Sequence, residues 1–89
     1  MPHVSLGATL TVYDPRTNQR LVFFVSGSHD TGGPSGISVR YGGPDEPWYR
    51  IMHRHRRASV VTRGSAREIT TRWNLLRRQM RNSRRYRIL

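Results

Sequence analysis

The C-terminal stretch from Ser65 to Leu89 decides the fold, and it reads S-A-R-E-I-T-T-R-W-N-L-L-R-R-Q-M-R-N-S-R-R-Y-R-I-L. Ser65 and Glu68 have the spacing of a capping box, in which each side chain hydrogen-bonds a backbone N–H of the first helical turn. Apolar residues then recur at the spacing of one helix face: Ile69, Trp73, Leu76 and Met80. The pattern predicts an amphipathic helix over residues 65–82, followed by a basic tail over residues 83–89.

Positive charge is concentrated in the second half of the chain. The formal net charge is +11, and all 16 basic residues are Arg. Residues 1–49 sum to −1, whereas residues 50–89 carry thirteen Arg against Glu68 alone and sum to +12. A nearly neutral half joined to a strongly basic half indicates a scaffold that presents a polyanion-binding surface.

Length and composition exclude several classes of protein. With 89 residues, of which 35% are hydrophobic, the chain is expected to form one domain with a modest core. The absence of cysteine excludes disulfides, thiolate metal sites and thiol nucleophiles. No stretch approaches the roughly 20 apolar residues of a membrane span, and the N-terminus lacks the pattern of a secretion signal. We therefore expect a soluble intracellular protein.

Residues 1–63 are expected to form a mostly β scaffold. The alternation of apolar residues from His3 to Tyr13 predicts a half-buried strand, and the apolar run over residues 21–26 predicts a fully buried one. Asp14 to Asn18 has the composition of a turn, so these two strands should form a hairpin. Shorter strands are predicted over three further segments: residues 37–41, 48–53 and 58–62.

The predicted fold class is α+β, with an antiparallel sheet of three to five strands and the C-terminal basic helix packed on one face. This arrangement buries the apolar surfaces of both the sheet and the helix. Trp73 and Met80 would then contact side chains of the sheet. The expected partners are Phe23 or Phe24, and Val60 or Val61.

The arginines supply the candidate functional site. A solvated charged surface normally mixes signs, and uncompensated positive charge costs stability unless a polyanion is present. Guanidinium groups bind phosphate in a bidentate manner and stack on bases, which favours RNA over DNA. A bias of the genome towards Arg codons would also explain the composition. The predicted nucleic-acid contacts are Arg50, Arg54, Arg56, Arg57, Arg63, Arg67, Arg78, Arg81, Arg85 and Tyr86.

Sequence-specific recognition finds no support in the motifs. Zinc-finger spacing, a helix-turn-helix pair and a ribonucleoprotein motif are all lacking. In size, charge and basic tail the chain resembles small ribosomal proteins as a type, without a motif of any one of them. Trp48 is interpreted as a core or hairpin-edge aromatic, and Tyr86 as the better candidate for stacking on a base.

The histidines suggest two other hypotheses. His53 and His55 would share one face of a strand, with His3 or His29 to complete a metal site, but the neighbouring arginines oppose a dication. His29-Asp30 with His53 or His55 could instead form a small metal-independent ribonuclease. The favoured interpretation has no catalysis, no metal and no cofactor.

The main alternative is an accessory factor, such as a viral one, whose Arg-rich helix docks on an acidic protein partner. The segment Arg56 to Val60 also resembles the substrate pattern of basophilic kinases, with Ser59 as the acceptor. The sequence leaves the oligomeric state open, because a small sheet often pairs through an edge strand.

Overall fold

The computed structural model describes residues 2–28, 32–53 and 57–89. Within them the chain forms five strands and two helices. In chain order these are β1 (Thr9–Asp14), β2 (Gln19–Gly27), β3 (Pro34–Gly42), α1 (Trp48–Ile51), β4 (Ser59–Arg63), α2 (Ala66–Asn82) and β5 (Arg87–Ile88). The predicted α+β class is confirmed.

The strands form one antiparallel sheet in the order β4-β3-β2-β1-β5. Strands β1 to β4 follow one another as a meander, because each pairs with the next along the chain. Helix α2 then carries the chain across the sheet, from β4 at one edge to β5 at the other. Strand β5 lies in the segment expected to be a basic tail, where Ile88 pairs with Val12.

Helix α2 begins and packs as its sequence predicts. The Ser65 hydroxyl accepts from the backbone N–H of Glu68, and the Glu68 carboxylate accepts from the backbone N–H of Ser65, both at 3.2 Å. The apolar stripe of α2 faces the sheet, with Ile69 0% and Trp73 4% exposed. The core cluster consists of Val12, Leu21, Phe23, Val25, Ile37, Val39, Ile69 and Trp73, with Leu76 and Met80 packed against it.

The expected contact of α2 with Val60 or Val61 is wrong. These side chains are 52% and 51% exposed on the edge strand β4, and neither belongs to the core cluster that the apolar stripe of α2 joins. The register of β4 against β3 also shifts between Ile37 and Ser38, as in a β-bulge. Phe23, by contrast, joins the core as expected.

The strand predicted over residues 48–53 is wrong, because this segment contains helix α1. Pro47 precedes the helix, and its carbonyl accepts from the backbone N–H of Arg50 at 2.9 Å. Ile51 is the one residue of α1 that is buried, and it fills the space that Gly42 leaves beside its backbone. A Cβ at Gly42 would overlap the Ile51 side chain.

Helices α1 and α2 lie on opposite sides of the sheet. Successive side chains of a strand point to opposite faces. Ile37 and Val39 of β3 join the α2 core, so Gly42 faces the other side and places Ile51 there. We call these the α2 side and the α1 side of the sheet.

Strand β1 also begins later than predicted, at Thr9 instead of His3. Gly7 adopts a φ of 79° in a turn, and its N–H donates to the carbonyl of Val25 at 3.0 Å. The residues before this turn pack towards the helix, since the Val4 N–H donates to the Thr70 hydroxyl at 2.9 Å.

Candidate nucleic-acid interface

The outer face of α2 carries three of the predicted contact residues. At about 100° per residue, Arg67 and Arg78 lie opposite the buried Ile69 and Trp73, and Arg81 lies about 100° away from that buried pair, on the side of the helix nearer to Arg67. All three are exposed. The amphipathic pattern of the helix therefore fixes where these guanidinium groups point, because the apolar stripe must face the core.

Two shallow depressions adjoin one another along this outer face. One has a volume of about 370 Å³ and the other about 290 Å³, and Thr71 and Asn74 line both. We call the pair the α2 groove, lined by His3, Arg67, Thr70, Thr71, Asn74, Leu75 and Arg78. Arg67 and Arg78 are about 16 Å apart along the helix axis, from a rise of about 1.5 Å per residue.

The chemistry of the α2 groove is cationic at its ends and hydrogen-bonding in its centre. The Thr71 hydroxyl donates to the Arg67 carbonyl at 3.2 Å, so its oxygen can still accept a hydrogen bond from a ligand. The Asn74 amide offers both donors and an acceptor. Among the described residues, those that line the groove include no carboxylate, so its charge suits an anionic ligand.

The one acidic residue of α2, Glu68, is used at the helix N-terminus. The Ser65 backbone N–H and the Ser65 hydroxyl, with a smaller effect of the Arg72 charge, hold the pKa of Glu68 below its ordinary value. Arg72 lies 3.5 Å from Glu68 and also donates to the Thr62 hydroxyl and, at 3.0 Å, to the Arg63 carbonyl. Arg72 therefore ties α2 to β4.

Arg85 forms an ion pair within the molecule, and its side chain remains 42% exposed. Its guanidinium donates to the Asp14 carboxylate at 2.8 Å and 3.3 Å, and the Asp14 side chain is only 4% exposed. Asp14 also accepts from the Arg16 N–H and the Thr17 hydroxyl. The hydrogen bond from Arg85 is the main cause that lowers the pKa of Asp14, and the same bond raises the pKa of Arg85.

Tyr86, the aromatic favoured for stacking on a base, is half-buried and packs against the core cluster. The Arg85 guanidinium lies 5.1 Å from the centre of its ring. Arg85 and Tyr86 together fasten the C-terminal segment to β1. Both predicted contact residues therefore have structural partners.

Arg50 and Arg63, two of the remaining predicted contacts, do not lie on the α2 side. Arg50 belongs to α1, and Arg63 pairs with Gly36. A Cβ added at Gly36 would point to the α1 side and lie 3.8 Å from Arg63 Cγ, so the Arg63 side chain is on that side as well. Arg57 is exposed just before β4, and Arg54 and Arg56 lie outside the described residues. The single surface expected from Arg50 to α2 is thus divided between two sides of the sheet.

A groove on the α1 side brings together residues that sequence analysis did not connect. It has a volume of about 340 Å³ and is lined by Thr11, Arg20, Trp48 and Leu89. We call it the Trp48 groove. Trp48 is 57% exposed and begins helix α1, so its interpretation as a core or hairpin-edge aromatic is wrong. Pro47 in front of it was the available signal, because proline is favoured at a helix N-terminus.

The histidines of the described residues are not gathered into a site. His3 lines the α2 groove, whereas His53 follows α1 on the other side of the sheet. His29, Asp30 and His55 lie outside the described residues. Among residues 2–28, 32–53 and 57–89, no group of three or more side chains of the metal-binding types could hold an ion.

Comparison with known proteins finds no family model, no curated protein and no solved structure that matches the chain. Neither helix in the described parts of the chain has the length and apolar character needed to cross a membrane.

Proposed function

We propose that this protein binds nucleic acid without catalysis, with RNA favoured over DNA, and that the α2 groove is the principal contact surface. The observation that carries the proposal is the outer face of α2, where Arg67, Arg78 and Arg81 are exposed and the groove has no acid among its described residues. Such a surface gains stability when a polyanion neutralises it.

The arrangement of the groove supports RNA in particular. The minor groove of an A-form duplex is wide and shallow, and it displays 2′-hydroxyls between two phosphate strands. Arg67 and Arg78 at the two ends of the α2 groove are placed to contact phosphates. Thr71 and Asn74 lie between them, where the 2′-hydroxyls would be.

The mode of binding follows from the same features. Contacts to phosphate and sugar hold a protein on a nucleic acid without reading its sequence. We therefore expect recognition of duplex shape within a folded RNA, as in a component of a ribonucleoprotein particle such as a ribosome.

Binding to one sequence, prepared as an RNA duplex, a 2′-O-methylated RNA duplex and a DNA duplex, tests the proposal. The unmodified RNA should bind tightest, and Asn74→Ala should reduce its advantage over DNA. Gln79→Ala, an exposed polar position of α2 outside the groove, should change nothing. Equal affinity for DNA and RNA would refute the preference, and no binding to any duplex would refute the function.

A second candidate function, binding of a protein partner in a larger assembly, is favoured by strand β4. It is an edge strand with Val60 and Val61 about half exposed; Arg57 precedes the strand and Arg63 is its last residue. An extended acidic segment of a partner could pair with this edge. Partners that survive nuclease treatment in a pulldown, and are lost with Val61→Lys, would support it. Loss of all partners on nuclease treatment would contradict it.

A further inference from the structure

The Trp48 groove presents an aromatic ring that the core does not use. Trp48 is the first residue of α1, and Ile51 anchors that helix on the sheet beside Gly42. The buried Ile51 fixes the position of the helix while the Trp48 side chain stays 57% exposed at the groove. An exposed indole on an anchored element offers a preformed stacking surface.

Arg20 places a positive charge beside this ring. It lies on β2 and is half-buried, and its Nη1 donates to the Glu46 carbonyl at 3.3 Å. A guanidinium carries five N–H donors in a fixed plane, and this contact engages one of them. The bond also ties the segment before α1 to the sheet. Arg20 is thus held in place and keeps donors for an anion in the groove.

The size and lining of the groove limit what it can accept. A volume of about 340 Å³ lies at the lower end of small-ligand sites. In the described part of the chain, Thr11 and Leu89 add a hydroxyl and an aliphatic side chain to the lining beside the Trp48 ring and the Arg20 cation. A base within a duplex has both faces covered by its neighbours, so the groove suits a base that is unpaired and unstacked.

We propose that the Trp48 groove binds one unpaired base of single-stranded RNA, with the base stacked on Trp48 and its phosphate contacted by Arg20. This inference rests on the proposed function but concerns a separate surface, since α1 and α2 lie on opposite sides of the sheet. The sheet with its two helices spans 16 Å in its shortest dimension, measured over Cα atoms. One molecule can therefore bridge an RNA duplex on α2 and an adjacent single strand.

Tryptophan fluorescence tests the site directly, because the chain has two Trp residues and the other, Trp73, is buried. A single-stranded oligonucleotide should quench the emission of Trp48, and a duplex should not. Trp48→Phe keeps an aromatic ring, so it should bind the single strand and lose the quenching. Trp48→Ala should weaken single-strand binding by about 5- to 150-fold, as expected for the loss of one stacked base.

Tyr49→Ala is the matched control, because it removes an exposed aromatic of the same short helix that does not line the groove. It should bind the single strand like wild type. The inference is overturned when Trp48→Ala binds as wild type does, when Tyr49→Ala weakens binding equally, or when adenosine monophosphate binds as tightly as the oligonucleotide. Failure of this inference is distinguishable from failure of the proposed function. If only the inference fails, the wild-type protein and Trp48→Ala still bind duplex RNA. If the proposed function fails, the wild-type protein does not bind a duplex at all.

Discussion

Neutralising the outer face of α2 should change how binding depends on salt, by an amount that follows from the number of contacts. Each phosphate contacted on a B-form duplex contributes about −0.9 to the slope of log affinity against log salt, a value we take for duplex RNA as well. Arg67, Arg78 and Arg81 are exposed on one face. Changing all three to Gln should therefore make the negative slope shallower by about 2.7.

The expected effect is large enough to measure. Salt that rises fourfold, from about 50 to 200 mM, should weaken binding through these three contacts alone by about 40-fold. The triple variant should lack that part of the dependence. Fluorescence anisotropy of a labelled RNA duplex over this range of salt gives the slope. Gln is a good helix former, so α2 itself should stay intact.

The control is Arg16→Gln in the exposed turn between β1 and β2. It removes one unit of charge, as each single substitution of Arg67, Arg78 or Arg81 does. Its slope should equal that of wild type. A long-range effect of net charge would lower the slope equally at every position, Arg16 included. Equal slopes for Arg16→Gln and for each single α2 variant would therefore refute the placement of the contact surface on α2.

Three further predictions concern the fold. Asp14→Asn should destabilise the protein at neutral pH, and the difference from wild type should vanish as the pH falls below about 4. The pKa of this carboxyl is lowered in the folded state, so its contribution to the free energy of unfolding is complete above the ordinary pKa and is lost as the pH falls through the lowered pKa. Urea unfolding at several pH values measures this contribution. Trp73→Ala should cost about 3–5 kcal/mol in the free energy of unfolding, and Leu75→Ala no more than about 0.5 kcal/mol in the same assay. Gly42→Ala, whose added methyl overlaps α1, should cost about 1–3 kcal/mol in thermal unfolding, whereas Gly43→Ala, which meets no atom within 4 Å, should fold normally.

Local patterns predicted the helix and its placement because they depend on residues close together in the chain. The Ser65–Glu68 capping box and the spacing of Ile69 and Trp73 specify the start of α2 and the face that it buries. Once the apolar stripe faces the sheet, the outward direction of Arg67 and Arg78 follows. This part of the candidate interface was therefore available from the sequence.

Features that depend on distant residues were not available in this way. Helix α1 is stabilised where Ile51 fits beside Gly42, and its tetrapeptide sequence reads equally well as a strand. The division of arginines between two sides of the sheet depends on that placement. The ion pair of Arg85 was not predicted, because its partner, Asp14, is 71 positions away in the chain.

The pairing of β5 with β1 has a consequence for the order of folding. Strands β1 to β4 meet their neighbours through connections within one meander, whereas Asp14 and Arg85 meet across 71 positions. Closing so long a loop costs conformational entropy, which contacts formed earlier must offset. The C-terminal segment should therefore dock after the rate-limiting step of folding. Loss of the Arg85 guanidinium, in Arg85→Gln, should then accelerate unfolding and leave the refolding rate unchanged in stopped-flow measurements. A slower refolding rate would show that the two ends of the chain meet early.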